Sequence, residues 1–471
     1  MEEKKTEGQK LNELLSYETK SAWEKISEAE KEQVFNFCSQ YISFLNKAKT
    51  ERESADELIR LAESKGFKNF EALNGKLNPG DKVYLSNRSK TIMLAVIGEE
   101  PIDKGINAVG AHIDSPRLDL KQNPLYEDSG LGLLKTHYYG GIKKYQWTAM
   151  PLAIHGVVIK QDGTKVNIVI GEDDSDPVFC VTDLLPHLAN EQMQKKMSEG
   201  ITGESLNILI GNEPYKDDKV KEKVKLNLLK IINEKHGIKE KDFLTAELEV
   251  IPAIKARDVG IDRSLVGGYG QDDRVCAYAA AIAIMEMEKP KKTAICVLAD
   301  KEEIGSVGNT GMKSRAFENF LAELVEVTGE YSALKVSRAL RSSRMLSADV
   351  NAAVDPTYDG VMEKRNAAFM GKGVCVTKYT GAGGKYQAND AHAEFLGEVC
   401  QLLDKENIVW QIGELGKVDQ GGGGTIAGYL ANLGMDVVDC GVALLSMHAP
   451  FEIASKVDIY MAYRAYLAFL K

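Results

Sequence analysis

Eight side chains that could bind a metal or move a proton fall in five short stretches of the chain. His112 and Asp114 close the run "VGAHIDSP", and Asp272 and Asp273 sit in "YGQDDRVCAYAA", just ahead of a helical pattern. Glu302 and Glu303 follow "TAICVLAD", Asp349 ends "MLSADV", and His448 ends "ALLSMH". Each has an ordinary role if taken alone. His112 reads as a core histidine, Asp272 as a helix N-cap, Asp349 as a turn residue and His448 as a backbone hydrogen-bonder. Their shared placement, at strand ends or strand–helix junctions, is less ordinary. In open α/β sheets the ligand crevice lies beyond the carboxyl ends of the strands. Carboxylates gathered there without a cation would repel one another and shift each other's pKa values.

Imidazole plus carboxylate, without thiolate, suits zinc, manganese or cobalt. Two such ions about 3.5–4 Å apart can share a bridging carboxylate and a bridging hydroxide. Two histidines and three carboxylates meet that requirement, and one glutamate remains. A free carboxylate beside a metal-activated water is the general base of metal-assisted hydrolysis. Spacing leaves open which of Glu302 and Glu303 is the ligand and which the base.

The elements that must position these groups are legible in outline. "KTIMLAVIG", "INAVGAHID", "TAICVLAD", "SRMLSADV" and "MDVVDCGVALLSMH" are apolar runs, and "RVCAYAAAIAIMEM" and "DAHAEFLGEVCQLLD" are helical stretches between the later ones. Buried strands alternating with helices predict an α/β sheet covered on both faces. Ahead of them, Val34, Phe37, Cys38, Tyr41, Ile42 and Leu45 fall on one face of an amphipathic helix. A second helix, "ESADELIRLAESKGF", is expected to stop near Gly66. The middle of the chain differs. "HGVVIKQDGTKVNIVIG" is two β-rich runs around Asp162-Gly163, a hairpin signal. "DKVKEKVKLNLLKIINEKHG" reads as a solvated amphipathic helix. The segment is too long for one crossover, so the predicted organisation is a first part over 1–117, an inserted β-rich domain over 118–255, and a second part over 256–471.

Bulk properties narrow the class. The 471 residues exceed one simple core, and a net charge of -10 disfavours nucleic-acid or anionic-membrane binding. The seven cysteines stand singly, with no C-x-x-C pair, which fits a reducing compartment rather than a disulfide framework. The charged N-terminus lacks the apolar core of a signal peptide, and no run approaches the roughly 20 apolar residues of a membrane helix. A cytoplasmic location is expected.

At "GAHIDSPRLDLK", "YGQDDR", "DKEEIGS", "SADV" and "SMHAP" the sequence resembles the aminopeptidase I / aspartyl aminopeptidase family of dizinc exopeptidases, in that family's motif order and over nearly the whole chain. The resemblance implies that His112, Asp272 and Asp349 hold one metal ion and Asp272, Glu303 and His448 the other, with Asp272 bridging. It makes Glu302 the base and Asp114 the carboxylate orienting His112. Zinc is the metal it implies first, with cobalt or manganese as alternatives. It further implies a cis peptide between Asp272 and Asp273, an insert that serves dimerisation, and dodecamers enclosing the active sites. Peptide substrates would then lose their N-terminal residue. One branch of the family prefers acidic N-termini and another neutral ones such as Leu; "KVDQGGGGTIAG" is more similar to the second. His187, Lys378 and Lys385 are candidates for substrate recognition.

Three rivals remain at the sequence level. A dizinc deacetylase or carboxypeptidase would use the same constellation. Gly422, Gly424 and Ala427 match a relaxed dinucleotide-binding pattern, with Asp439 downstream, but an oxidoreductase leaves the acidic constellation unexplained. A non-enzymatic scaffold on a dead peptidase fold would have lost ligands or the base, and all are present here.

Overall fold

The runs that read as buried strands pair into a nine-stranded mixed sheet. The computed structural model describes residues 5–17 and 19–471. At the centre of the sheet, Ala294–Ala299, Asn107–His112, Arg344–Ser347 and Asp436–Gly441 run parallel, in that spatial order. Thr91–Val96 flanks them antiparallel on one side and Val374–Thr377 on the other. Alternate residues of Ala294–Ala299 enter different apolar layers. Ala294, Cys296 and Leu298 face one, Ile295, Val297 and Ala299 the other, the period of two that a strand imposes. Helices Glu28–Lys47, Gln271–Met285 and Lys456–Leu470 cover the first face. Ala316–Thr328 and Ala333–Arg341 cover the second.

The N-terminal helices follow their patterns. Ser27 and Glu30 form a capping box that starts Glu28–Lys47, whose buried stripe is Val34, Cys38, Tyr41, Phe44 and Leu45. The next helix, Glu51–Ser64, ends just before Gly66, which has a φ of 88°.

A second sheet of seven antiparallel strands is built wholly from residues between Arg117 and Pro252. The hairpin Leu152–Ile159/Lys165–Ile170 turns at Gly163, and helix Lys223–His236 ends at the left-handed Gly237. The seam with the rest of the chain is charged and buried. Across it Arg117 pairs with Glu51 (3.5 Å) and Lys90 with Glu247 (3.2 Å), while Arg117 also holds Glu249 (3.2 Å) and Asp119 (2.8 Å) on its own side.

A third, five-stranded sheet has no counterpart in the sequence reading. "MDVVDCGVALLSMH" reads as one run, yet Asp436–Gly441 lies in the central sheet and Ala443–Leu445 in the third. The reason is local. A Cβ on Gly441 would come within 1.8 Å of the Asp349 carbonyl oxygen. Only glycine lets the two backbones pass that closely as the chain changes sheets.

Candidate metal centre

The parallel strands end together, and the chemistry collects at that edge. Ala299 is level with His112, and Ser347 with Gly110 and Asp439. Glu302 and Glu303 therefore lie just past one strand, His112 at the tip of the next, and Asp349 just past the third. Asp272 comes from the start of Gln271–Met285, where both it and Asp273 depart from helical dihedrals and the peptide joining them is cis. His448 is held at a φ of 63° in the loop before strand Glu452–Ser455.

Asp272 is the hub. Its Oδ1 lies 3.2 Å from His112 Nε2, and its Oδ2 lies 3.1 Å from His448 Nε2. Ligand atoms of His112, Asp272 and Asp349 lie within 4.8 Å of one another, as do those of Asp272, Glu303 and His448.

The hydrogen bonds on the far side of each imidazole decide its tautomer. His112 Nδ1 is 3.0 Å from the Asp114 carbonyl oxygen, and His448 Nδ1 is 2.8 Å from that of Gly141. A carbonyl only accepts, so each Nδ1 carries a proton and each Nε2 faces Asp272, donating to it as imidazolium or turning its lone pair to a cation held between them. Lone pair facing carboxylate is stable only around positive charge. The pocket's electrostatics agree. Burial opposes the charged form of His448, yet Asp272 and Glu303 push its pKa up to about 10. Burial, together with neighbouring carboxylates, raises Glu303 and Asp349 well above the usual range. Burial works against ionised Asp272, but the two histidines hold it well below that range. Glu303 Oε1 is buried without a hydrogen-bond partner. Donors of this kind, imidazole nitrogens and carboxylate oxygens without thiolate, fit zinc.

Glu302 sits slightly apart. Its carboxylate is 3.9 Å from His112 Nε2, and burial raises its pKa to about 7. Asp114 anchors both glutamates, accepting the Glu302 N–H on Oδ1 (3.1 Å) and the Glu303 N–H on Oδ2 (3.2 Å). Two further residues escaped the sequence reading. The Tyr139 hydroxyl donates to Asp114 Oδ2 at 2.8 Å. Glu452 accepts the backbone N–H groups of His448 (2.7 Å) and Asp272 (3.2 Å). The doubled tyrosine and glycine of "YYGG" and a carboxylate four residues past His448 were the available signals.

The metal edge opens into a cavity of about 880 Å³, walled in part by glycine-rich segments around 381–384 and 421–424. Gly422 and Gly424 of the dinucleotide-like pattern thus face this cavity. Lys385 lines it as well; Lys378 does not, and both lysines pair with Asp390 (3.1 and 2.9 Å). His187 lies elsewhere, on a cavity of about 740 Å³ within the second-sheet region.

Residues 44–470 match the family description aminopeptidase I zinc metalloprotease (M18). The chain belongs to the M18 aminopeptidase family. It is 57% identical to a probable M18 family aminopeptidase 1 of Clostridium acetobutylicum, over 98% of this chain and 99% of that one. The crystal structure of an M18 aminopeptidase from Thermotoga maritima superposes with a TM-score of 0.93 at 47% identity, covering 97% of this chain and 100% of that one. More distantly, the fold matches an S. cerevisiae mApe1 dodecamer structure, with a TM-score of 0.72 at 22% identity over 92% and 95% of the two chains. The M18 chain is therefore a zinc metalloprotease by family, a hydrolase and an aminopeptidase, with the mixed α/β fold of its neighbours.

Proposed function

We propose that this M18 chain removes the N-terminal residue from unblocked peptides with two zinc ions, one held by His112, Asp272 and Asp349 and the other by Asp272, Glu303 and His448. The observation that carries the reading is Asp272, whose two oxygens face two different histidines at 3.2 and 3.1 Å. Zinc, when bound, supplies Lewis acidity toward water and the scissile carbonyl. The chain's own residues do the rest. Glu302 takes a proton from the attacking water and delivers it to the leaving amine. Its partly buried carboxyl, near neutrality in pKa, suits both directions of transfer. Asp114 fixes the backbone of both glutamates and the orientation of His112, so base and ligands keep their spacing through turnover.

For the N-terminal side chain we favour neutral residues such as Leu over Asp or Glu. Lys385, the lysine at the cavity, is already paired with Asp390, which also holds Lys378 outside it, so the cavity lysine is not free to meet an acidic side chain. We assign residues 118–255 to a dimerisation domain within a homo-oligomer, and His187 to a role in recognition outside its own chain's cavity. Seven free cysteines suit a reducing, cytoplasmic setting. Among the described residues no helix is long and apolar enough to cross a membrane.

Elemental analysis of the zinc-reconstituted protein should give two ions per chain, and prolonged chelation should abolish turnover of aminoacyl-naphthylamides, with Leu cleaved faster than Asp. Full activity after exhaustive chelation would defeat the metal reading. Cleavage of blocked or C-terminal substrates in preference would favour the deacetylase or carboxypeptidase alternative.

A further inference from the structure

The segment Tyr139-Gly140-Gly141 leaves the second sheet at the end of strand Leu131–Tyr139 and runs along the metal edge. Three contacts tie it there. Tyr139 donates its hydroxyl to Asp114 Oδ2 at 2.8 Å, on the carboxylate that holds the Glu302 and Glu303 backbones. The Gly141 carbonyl accepts from His448 Nδ1 at 2.8 Å. Between them, Gly140, with a φ of 73°, lies so close to Glu303 that a Cβ would sit 3.2 Å from Oε2. The tyrosine is itself held. Its ring lies 3.8 Å under the Arg117 guanidinium, and Arg117 is locked to Glu249 of the second sheet and to Asp119.

From these contacts we propose that Tyr139–Gly141 is a positioning strap by which the second sheet orients ligands at both metal positions. Tyr139 acts through Asp114 on the His112 side, and Gly140 and Gly141 act on Glu303 and His448. None of the three touches the reacting atoms. Their effect is on the direction in which ligand atoms point and on which imidazole nitrogen keeps its proton. Partners of this kind characteristically change metal affinity or activity about 10–100-fold when removed. The inference rests on the two-ion reading above but is tested separately from it.

Tyr139→Phe keeps the ring on Arg117 and removes only the hydroxyl, so the fold is expected to survive. Zinc affinity measured by competition with a chromogenic chelator should fall about 10–100-fold for one ion. In the cobalt-substituted protein the d–d absorption should shift, and kcat should fall with KM little changed. Gly140→Ala, which forces the strap off Glu303, should weaken one ion as well, and the double variant should weaken both. Wild-type affinities with an unshifted cobalt spectrum in both single variants would overturn the proposal. If the wild type binds only one ion, the two-site reading fails; the strap then stands or falls on whether Tyr139→Phe weakens that ion.

Discussion

Asp272 and the glutamate pair carry the residue-scale argument. Glu303 lies 3.5 Å from His448 Nε2 and shares its cluster, whereas Glu302 approaches only His112, at 3.9 Å. Adjacent in sequence, they diverge because Lys301 takes a left-handed φ of 67° and starts a single 3₁₀ turn, which points successive side chains apart. Glu302→Gln should therefore retain metal while losing about 10²–10⁴-fold in rate, the usual worth of a general base. Glu303→Gln should instead lower metal occupancy. Metal content and kcat measured on both variants check the assignment, and exchanged phenotypes would reverse it. The sequence made the pair visible but could not separate its members, since the distinguishing fact is a backbone dihedral. Four of the five proposed ligands were legible because each stands at or just past the end of an apolar run, and Asp272 because it stands just ahead of a helical pattern. Tyr139 and Glu452 were not, because a hydroxyl that serves the Asp114 carboxylate and a buried carboxylate that serves backbone N–H groups stand at no common distance from an apolar run.

At the scale of elements, apolar runs alternating with helical stretches made the central sheet and its cover on both faces readable, and the Asp162-Gly163 turn announced a hairpin of the second sheet. The third sheet was hidden because its strands are two to four residues long and gathered from distant segments. The seam between the second sheet and helix Glu51–Ser64 carries a pH-sensitive device. His155 is buried, with Nδ1 2.7 Å from Glu53 and Nε2 3.2 Å from Glu172, and Lys49 lies 2.7 Å from Glu172. Both nitrogens can donate only in the imidazolium form. Burial opposes that form, but the two carboxylates prevail and raise the pKa of His155. A histidine whose pKa is higher folded than unfolded stabilises most at pH values below the unfolded value, about 6.5. That stabilisation is lost as pH climbs through the raised folded value. Thermal unfolding of the wild type should therefore lose stability on going above pH 6.5. His155→Gln should be less stable at pH 6 and show a flatter profile over the same interval. Parallel profiles for the two proteins would remove His155 from the account.

For the whole molecule the question is what the second sheet presents outward. Leu184, Leu185, Leu188, Met193 and Met197 are each about half to four-fifths exposed within one short stretch of the second-sheet region. A cluster of large apolar side chains is costly to leave in water, and it marks an interaction surface. The stretch also borders the cavity lined by His187, a residue that does not line the metal-edge cavity of its own chain. A second copy is the economical partner, because a self-complementary contact closes by symmetry. It would cover the apolar stretch and give His187 a site to face. Further association of such dimers would enclose the metal edges, and the narrow approach would admit extended peptides while excluding folded proteins. Sedimentation should accordingly find a large homo-oligomer. Leu188→Asp together with Met193→Glu should shift it to smaller species with reduced peptidase activity and unchanged zinc content. The wild type should trim short unblocked peptides and leave a folded protein with a packed N-terminus intact. A fully active monomer, or rapid trimming of the folded protein, would mean that the exposed stretch serves another partner and that access to the site is open.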